Sequence, residues 1–164
     1  MYLGCEFFLQ ETEKFYTVRG YELLEKNKKH LTSAMEDYLE MIYRHSLPEG
    51  YIRINNLAEL LNVHASSTTK MVQRLSKLDL VAYKRYGVVV LTKQGEEIGE
   101  FLLKRHEILE SFFKHLGIES VLQEVELMEH SITTNTLKNI NLLNVFLENN
   151  PSFLENFKTF QKNY

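Results

Sequence analysis

The feature that most constrains the fold is the order of short elements within residues 51–92. We predict a short extended piece for YIRI, a short helix for NNLAELLNV, and a second helix for HASSTTKMVQRLSKLDLV, whose apolar stripe includes Val72 and Leu75. Two β-rich runs in VAYKRYGVVVLT flank Tyr86 and Gly87, as in a hairpin. With the helix that precedes it, this order predicts a winged helix-turn-helix, whose second helix would enter a DNA major groove.

Helical patterns lie on both sides of this segment. SAMEDYLEMIYRHSL predicts a helix that starts at Ser33, with Glu36 completing a capping box. KQGEEIGEFLLKRHEILESFFKHLG predicts a long amphipathic helix that stops at Gly117, followed by helices around 119–130 and 134–148 and a last amphipathic segment. We therefore expect a mainly α protein: an N-terminal winged helix-turn-helix domain with a small β-hairpin wing, then an all-helical dimerisation domain that forms a homodimer.

The net charge of −3 conceals a basic middle of the chain. Residues 51–95 hold seven Lys/Arg and two Asp/Glu, a net charge of +5, whereas residues 1–50 and 96–164 carry net charges of −3 and −5. This asymmetry favours a nucleic-acid partner for the middle segment. The predicted parts are an N-terminal arm at 1–32, a DNA-binding domain at 33–95 and a helical metal-binding and dimerisation domain at 96–164.

Composition excludes several classes of protein. The hydrophobic content of 44% and the charged content of 25% are those of an ordinary soluble protein, and no stretch reaches the roughly 18 apolar residues of a membrane span. The start, MYLGCEFFLQETEK, lacks the basic and apolar regions of a signal peptide. The single cysteine, Cys5, excludes an internal disulfide and suits a reducing cytoplasm, where we expect the protein to lie.

The basic segment supplies candidate DNA contacts. Short polar and basic side chains in the first turns of a recognition helix can reach phosphates and the edges of nucleobases. Basic side chains beside a hairpin turn can contact phosphates. The predicted contacts are His64, Ser66, Ser67, Thr69, Lys70, Arg74, Lys84 and Arg85.

A second group of ionisable residues suggests a cation site. Glu126, Glu129 and His130 share one helical face in EVELMEHSI, and His106 points toward the apolar side of the long helix. Asp37 and Glu40 lie three residues apart on the first helix. An acidic pair, a core histidine and an E-x-x-E-H stretch are each weak signals alone, so the metal hypothesis depends on their conjunction.

The chemistry of these six side chains limits the ion. Four carboxylates and two imidazoles without a thiolate suit Mn²⁺ or Fe²⁺, although Zn²⁺ would still bind on raw affinity. So many carboxylates exceed the needs of one divalent ion, which predicts two ions per subunit. The pattern predicts no organic cofactor and no catalytic residue.

Five motifs, in this order, resemble the diphtheria-toxin-repressor family (DtxR/MntR), most closely its manganese-transport branch. They are SAMEDYLEMIY, NLAELLNVHASSTTKMVQRL, YGVVVLTKQGEEIG, LLKRHEILESF and VELMEHSI, and they span about residues 32–148. The resemblance implies that the protein is a homodimeric, metal-activated repressor of metal-uptake genes and not an enzyme. The metal ligands that it implies are Asp37, Glu40, His106, Glu126, Glu129 and His130.

Three positions compare informatively with the family pattern. Glu126 stands where the iron-responsive branch usually has cysteine, which favours manganese, with iron as the alternative. The family often has V-H-P-S-S at the start of the recognition helix, whereas this chain has Ala65 in place of the proline. The usual E-H-H stretch ends here in Ser131, which leaves one fewer imidazole.

Sequence and resemblance together suggest a mechanism. A metal held by ligands of both domains would fix the separation of the two recognition helices in the dimer, and so shift the population toward the form that fits operator DNA. Two alternatives remain open from the sequence. One is a metal-independent winged-helix regulator of the MarR type, and the other is a di-metal hydrolase.

Overall fold

The structure is a computed structural model that describes residues 20, 22–24, 26 and 31–163. Most of the predicted N-terminal arm, including Cys5, lies outside these residues, and residues 20, 22–24 and 26 of the arm are helical. The chain divides into two compact units, residues 1–103 and residues 104–164. No described helix is long and apolar enough to cross a membrane.

The first unit contains the predicted winged helix-turn-helix. Its elements in chain order are α1 (Ser33–Ser46), β1 (Ile52–Arg53), α2 (Ile54–Leu60), α3 (Ala65–Lys77), β2 (Val81–Lys84) and β3 (Val88–Leu91). The three strands form an antiparallel sheet in the order β1-β3-β2, with Ile52 opposite Val89 and Lys84 opposite Val88. The predicted fold class, mainly helical with a small hairpin wing, is confirmed.

Apolar side chains at helical spacing form the core of this unit. Leu39 and Ile42 of α1, Leu57 of α2 and Leu75 of α3 are each 0% exposed, and Val89 of the sheet is equally buried. Each fully buried aliphatic side chain contributes about 1.5–3 kcal/mol to folding. The three helices and the sheet therefore share one hydrophobic core, which holds α3 in place.

The start of α1 differs from its prediction by one capping residue. The helix begins at Ser33, as predicted, but its N-cap is Thr32, whose side chain makes no capping hydrogen bond. The backbone carbonyl of Thr32 accepts hydrogen bonds from the amides of Met35 and Glu36. The predicted cap at Ser33 is wrong, because the chain enters the helix one residue earlier than the S-x-x-E pattern indicates.

Turn residues with left-handed backbone angles position α3. Asn62 (φ 51°) lies in the connection from α2, and Asp79 (φ 57°) lies between α3 and β2. Asparagine and aspartate tolerate this region better than other residues with a Cβ. Within α3, the hydroxyls of Thr68 and Thr69 donate to the carbonyls of His64 and Ala65.

The helix α4 (Lys93–His115) begins against the end of α3. Thr92 donates its hydroxyl to the Asp79 carbonyl at 2.6 Å and accepts from the Gly95 amide at 3.0 Å. A Cβ at position 95 would lie 1.8 Å from the Leu80 carbonyl oxygen, so only glycine fits this close approach. The turn that follows the recognition helix is thereby tied to the first turn of α4.

The second unit is all-helical, as predicted. It contains the end of α4, then α5 (Val121–Met128), α6 (Thr134–Asn149) and α7 (Pro151–Lys162). The predicted stop at Gly117 is confirmed: Gly117 has φ 75°, its amide donates to Lys114, and the Ile118 amide donates to Phe113, which is a Schellman motif. Gln161 of α7 donates to the Leu116 carbonyl at 2.9 Å, so α7 folds back beside the end of α4.

Candidate metal centre and DNA-recognition surface

The recognition helix α3 buries one face and exposes the other. Thr68, Val72 and Leu75 are 0% exposed. Of the predicted DNA contacts on and before α3, Thr69 is half-buried and the others are exposed. The exposed residues are His64, Ser66, Ser67, Lys70 and Arg74. A polar, basic face is therefore available to a ligand, while the apolar face fixes the helix in the fold.

The wing adds a second exposed basic group. Lys84 ends β2 and Arg85 begins the turn that follows, and both side chains are exposed. Val88 pairs with Lys84 on one side and with Arg53 on the other. Directly opposite residues of neighbouring strands project to the same face of a sheet, so Arg53 and Lys84 flank Val88 on one face.

Arg53 is a candidate DNA contact that the sequence prediction missed. It is exposed and sits in the two-residue strand β1. A single arginine in YIRI does not indicate a DNA contact by itself, because its position relative to the wing depends on strand pairing between positions 53 and 88. Only the sheet order brings this arginine to the same face as Lys84, on the other side of Val88.

The two predicted ligands of α1 are less accessible than surface carboxylates usually are. Asp37 is half-buried and Glu40 is 9% exposed. Glu40 Oε1 accepts from Arg44 Nη2 at 2.6 Å, one helical turn away. A buried carboxylate requires a compensating positive charge or hydrogen-bond donor, and this arginine provides one.

In the second unit, a carboxylate and an imidazole that are distant in sequence lie together. His106 of α4 and Glu129, at the end of α5, are 8% and 2% exposed, and His106 Nδ1 lies 3.3 Å from Glu129 Oε2. His130 Nε2 lies 3.8 Å from Glu129 Oε1. Glu126 is on α5 as well, but its side chain is exposed. Of the four ligands predicted for this part of the chain, His106 and His130 thus lie next to a third, the buried carboxylate of Glu129.

Arg105 is a second residue that the sequence prediction missed. It is only 4% exposed, and its Nη2 lies 3.3 Å from His130 Nδ1. A guanidinium has donors and no acceptor, so Nδ1 is the acceptor in this contact and Nε2 is the nitrogen that remains for a ligand. Its place next to His106 in the sequence gave no signal, because the contact depends on how α5 packs against α4.

The donor set of this cluster fits a divalent metal ion. Glu129 offers a buried carboxylate, His106 and His130 offer imidazole nitrogens, and Glu126 offers a further carboxylate on the same helix. Oxygen and imidazole donors without sulfur suit Mn²⁺ and Fe²⁺. A cation would also balance the charge of a carboxylate that has almost no access to water.

Comparison with known proteins is consistent with both halves of this description. A model described as "Iron dependent repressor, N-terminal DNA binding domain" matches residues 30–89. A second model, "Iron dependent repressor, metal binding and dimerisation domain", matches residues 92–157. The two matches together cover the winged helix-turn-helix elements and nearly all of the helical unit.

Individual MntR proteins are similar over most of their length. The HTH-type transcriptional regulator MntR of Shouchella clausii is 41% identical over 133 residues, which cover 80% of this chain and 93% of that protein. MntR of Bacillus subtilis is 40% identical over 133 residues, with 80% and 94% covered. The solved structure of the manganese regulator SloR is 28% identical with a TM-score of 0.59, and the match covers 66% of this chain and about half (52%) of that one.

These matches confirm the family that the five motifs indicated, and they exclude the hydrolase alternative because the family consists of DNA-binding regulators and not of enzymes. The chain belongs to the iron-dependent repressor family of metal-dependent transcriptional regulators, in which its curated relatives are MntR proteins.

Proposed function

We propose that this protein is a repressor that binds operator DNA as a homodimer when Mn²⁺ is bound, and that it controls genes for metal uptake. The observation that carries the proposal is the division of chemistry along the chain. Exposed basic side chains lie on the recognition helix and the wing, between residues 65 and 91, and a buried carboxylate–imidazole cluster is centred on Glu129. The MntR relatives, similar over nearly their whole length, support manganese as the effector.

The proposed ligands are the six residues that the family resemblance implies: Asp37, Glu40, His106, Glu126, Glu129 and His130. When bound, the metal would supply positive charge that neutralises the carboxylates and a fixed geometry that orients them. Two ions per subunit remain our proposal, because four carboxylates exceed the needs of one divalent cation.

The α3 face does the reading of DNA in this proposal. Lys70 and Arg74 bind phosphates or guanine edges, while Ser66 and Ser67 reach the backbone and base edges as short donors. Lys84 and Arg85 of the wing neutralise further phosphates. In the homodimer two such helices meet two half-sites, about 34–36 Å or a multiple of it apart along the duplex.

The second unit supplies a surface for the homodimer. Several of its large apolar side chains are exposed in the single chain: Leu122, Leu127, Leu142, Phe146 and Phe153 are between 46% and 70% exposed. Exposed apolar area of this kind commonly marks a protein–protein interface. We propose that a second copy of the chain covers it.

Metal dependence in this proposal is a shift between populations of the dimer. The metal-bound form has the half-site separation that operator DNA requires, and the metal-free form populates it only in part. A hundredfold change in operator affinity corresponds to a coupling free energy of about 2.7 kcal/mol. Differential ligation of a divalent cation in the two forms readily reaches that magnitude.

Operator binding measured with Mn²⁺, Fe²⁺, Zn²⁺ and a chelator tests this function. The probe is a duplex selected from a random library in the presence of Mn²⁺, and the readout is the dissociation constant by fluorescence anisotropy. We expect Mn²⁺ to tighten binding at least about tenfold relative to chelator. His106→Ala combined with Glu126→Ala should abolish this dependence. Lys70→Ala combined with Arg74→Ala should weaken DNA binding and leave Mn²⁺ binding by the protein intact.

Two results would count against the proposal. Equal operator affinity with Mn²⁺ and with chelator would support a metal-independent regulator of the MarR type. Loss of Mn²⁺ binding in the Lys70 and Arg74 double variant would contradict the separation of the DNA surface from the metal ligands. A stronger response to Fe²⁺ than to Mn²⁺ at equal free concentration would assign the other effector.

A further inference from the structure

The tip of the wing contains a residue whose backbone conformation does not suit it. Tyr86 has φ 62° and ψ 26°, and Gly87 after it has φ 72°. Among the described residues, two other non-glycine positions have positive φ, and they are Asn62 and Asp79, whose short polar side chains tolerate this region. Asparagine or glycine would be the ordinary choice at position 86.

Packing within the chain does not explain the tyrosine. The Tyr86 side chain is 90% exposed, more than any other exposed large hydrophobic side chain of the described residues, of which the next is Leu127 at 70%. Its ring therefore gains almost nothing from burial in this fold. An unfavourable conformation that no contact among the described residues offsets indicates that the benefit comes from a partner outside the chain.

The surroundings of Tyr86 specify the chemistry of that partner. Lys84 and Arg85 precede it and are exposed, and Tyr83 is 38% exposed. Residues 80–95 contain no aspartate or glutamate. Two tyrosines that flank a lysine and an arginine, with no carboxylate within this stretch, suit a polyanion such as a nucleic acid. Its phosphate oxygens can contact the cationic side chains and the tyrosine hydroxyl, and its sugars or nucleobases can contact the aromatic ring.

We infer that Tyr86 contacts DNA from the wing tip, with its hydroxyl and ring on the sugar-phosphate backbone next to the sequence that α3 reads. This inference rests on the proposed DNA binding. It explains why a tyrosine holds a position that asparagine or glycine would occupy with less strain. In addition to the two cationic side chains, the wing then has a neutral tyrosine contact with DNA, and the strength of that contact does not depend on ionic strength.

Tyr86→Asn separates the two roles of the residue. Relief of the backbone strain should raise the thermal unfolding midpoint of the metal-bound protein, while loss of the DNA contact should weaken binding to the Mn²⁺-selected duplex at least about fivefold. Mn²⁺ affinity should not change. A variant that becomes more stable and binds DNA less tightly cannot be explained by damage to the fold.

Salt titration distinguishes this contact from those of the neighbouring bases. Because tyrosine is neutral, Tyr86→Asn should leave the slope of log affinity against log salt concentration unchanged, whereas Arg85→Ala should reduce it by about 1. Hydroxyl-radical footprinting should show backbone positions that the parent protects and Tyr86→Asn does not. Tyr86→Phe, which keeps the ring, should lose only part of the affinity.

Asn62→Gly is the matched control, because it changes a second left-handed position without a change of charge, and glycine keeps the backbone conformation there, so it should not weaken DNA binding. Unchanged DNA affinity in Tyr86→Asn, within about twofold, would overturn the inference, and so would a fall in its unfolding midpoint. If the parent protein itself fails to bind the selected duplex, the proposed function fails first. That result is visible before any Tyr86 variant is measured.

Discussion

The candidate DNA contacts of the first unit and the carboxylate–imidazole cluster of the second unit differ in how the fold holds them. In the first unit, Lys70, Arg74, Lys84 and Arg85 project into solvent from elements whose opposite faces are buried. In the second unit, Glu129 and His106 are 2% and 8% exposed and lie within 3.3 Å of each other. A long polyanion can be met only by groups that stand clear of the surface, whereas a small cation is held best by groups already withdrawn from water.

This difference has a consequence for mutation. Truncation of an exposed base should remove a contact with DNA and leave folding almost unchanged, because surface substitutions usually change stability by less than about 0.5 kcal/mol. Truncation of a buried polar group should affect both the ligand and the fold, because its partner stays behind in a dry environment. The variants below test how far the two units follow this rule.

The largest effect is expected for Glu129→Gln. The amide keeps the volume of the side chain and can still hydrogen-bond to His106, but it lacks the charge that a divalent cation requires. Mn²⁺ affinity should fall by at least about 100-fold, or about 2.7 kcal/mol, and operator affinity in Mn²⁺ should approach the value in chelator. Isothermal titration calorimetry and the anisotropy assay measure the two quantities.

Glu119→Gln is the matched control for charge, because Glu119 is exposed and lies outside the cluster. It should leave Mn²⁺ affinity unchanged within about twofold, since exposed charges are largely screened. The metal-free unfolding midpoint of Glu129→Gln should stay close to that of the parent. Parent-like Mn²⁺ affinity in Glu129→Gln would show that the buried carboxylate is structural and not a ligand.

An intermediate effect, on stability alone, is expected for Asn144→Leu. Asn144 of α6 is 3% exposed, donates to the Ile108 carbonyl at 2.9 Å and lies 3.2 Å from His115 Nδ1. Removal of a buried, hydrogen-bonded amide should lower the free energy of unfolding by about 1–3 kcal/mol. Chemical denaturation measures the loss, and Mn²⁺ affinity should be unaffected.

Asn139→Leu, on the exposed side of the same helix, provides the comparison. Its amide bonds only to the Asn135 carbonyl of its own helix, so the change should stay within about 0.5 kcal/mol. A large loss of Mn²⁺ affinity in Asn144→Leu would mean that its tether between α4 and α6 also positions the metal ligands. The contrast between the two units would then be sharper, because metal binding and folding stability would depend on the same side chains in the helical unit.

Sequence patterns predicted the fold of this chain because the fold is built from local periodicity. The apolar stripe through Val72 and Leu75 defined α3 and its buried face, and two β-rich runs around Tyr86 and Gly87 defined the wing. Helix ends were also local where glycine set them, as at Gly117. The cap of α1 was misplaced from Thr32 to Ser33, because two adjacent hydroxyl residues satisfy the same preference.

The candidate sites were predictable in residue type and only partly in arrangement. Patterning identified His106 and Glu129 as candidates, yet 23 residues separate them and only helix packing makes them neighbours. Arg105 and Arg53 were missed for the same reason, since their partners lie on another helix and another strand. The strain at Tyr86 could not be predicted either. Tyrosine disfavours a positive φ, so its presence in the sequence gives no sign that the backbone adopts one.

The smallest expected effect is a gain, at the start of the recognition helix. Ala65 is the first residue of α3, where the family often has proline, and His64 before it has φ −72° and ψ 139°. That extended conformation is the one that a residue before proline prefers, and the amide of a first helical residue has no intrahelical acceptor. Ala65→Pro should therefore stabilise the protein by about 0.4–1 kcal/mol, through the lower entropy of the unfolded chain.

Differential scanning calorimetry should show this gain as a rise of about 1–4 °C in the unfolding midpoint. Ser67→Pro is the opposing control, because the Ser67 amide donates to the His64 carbonyl at 2.9 Å and proline would abolish that bond. A fall in the midpoint of Ala65→Pro would mean that residue 64 leaves the extended region in solution. Ala65→Pro changes only the first residue of α3 and leaves its polar face intact. Operator affinity should therefore stay within about twofold of the parent, because side chains that contact DNA from outside the core can be separated from those that stabilise the fold.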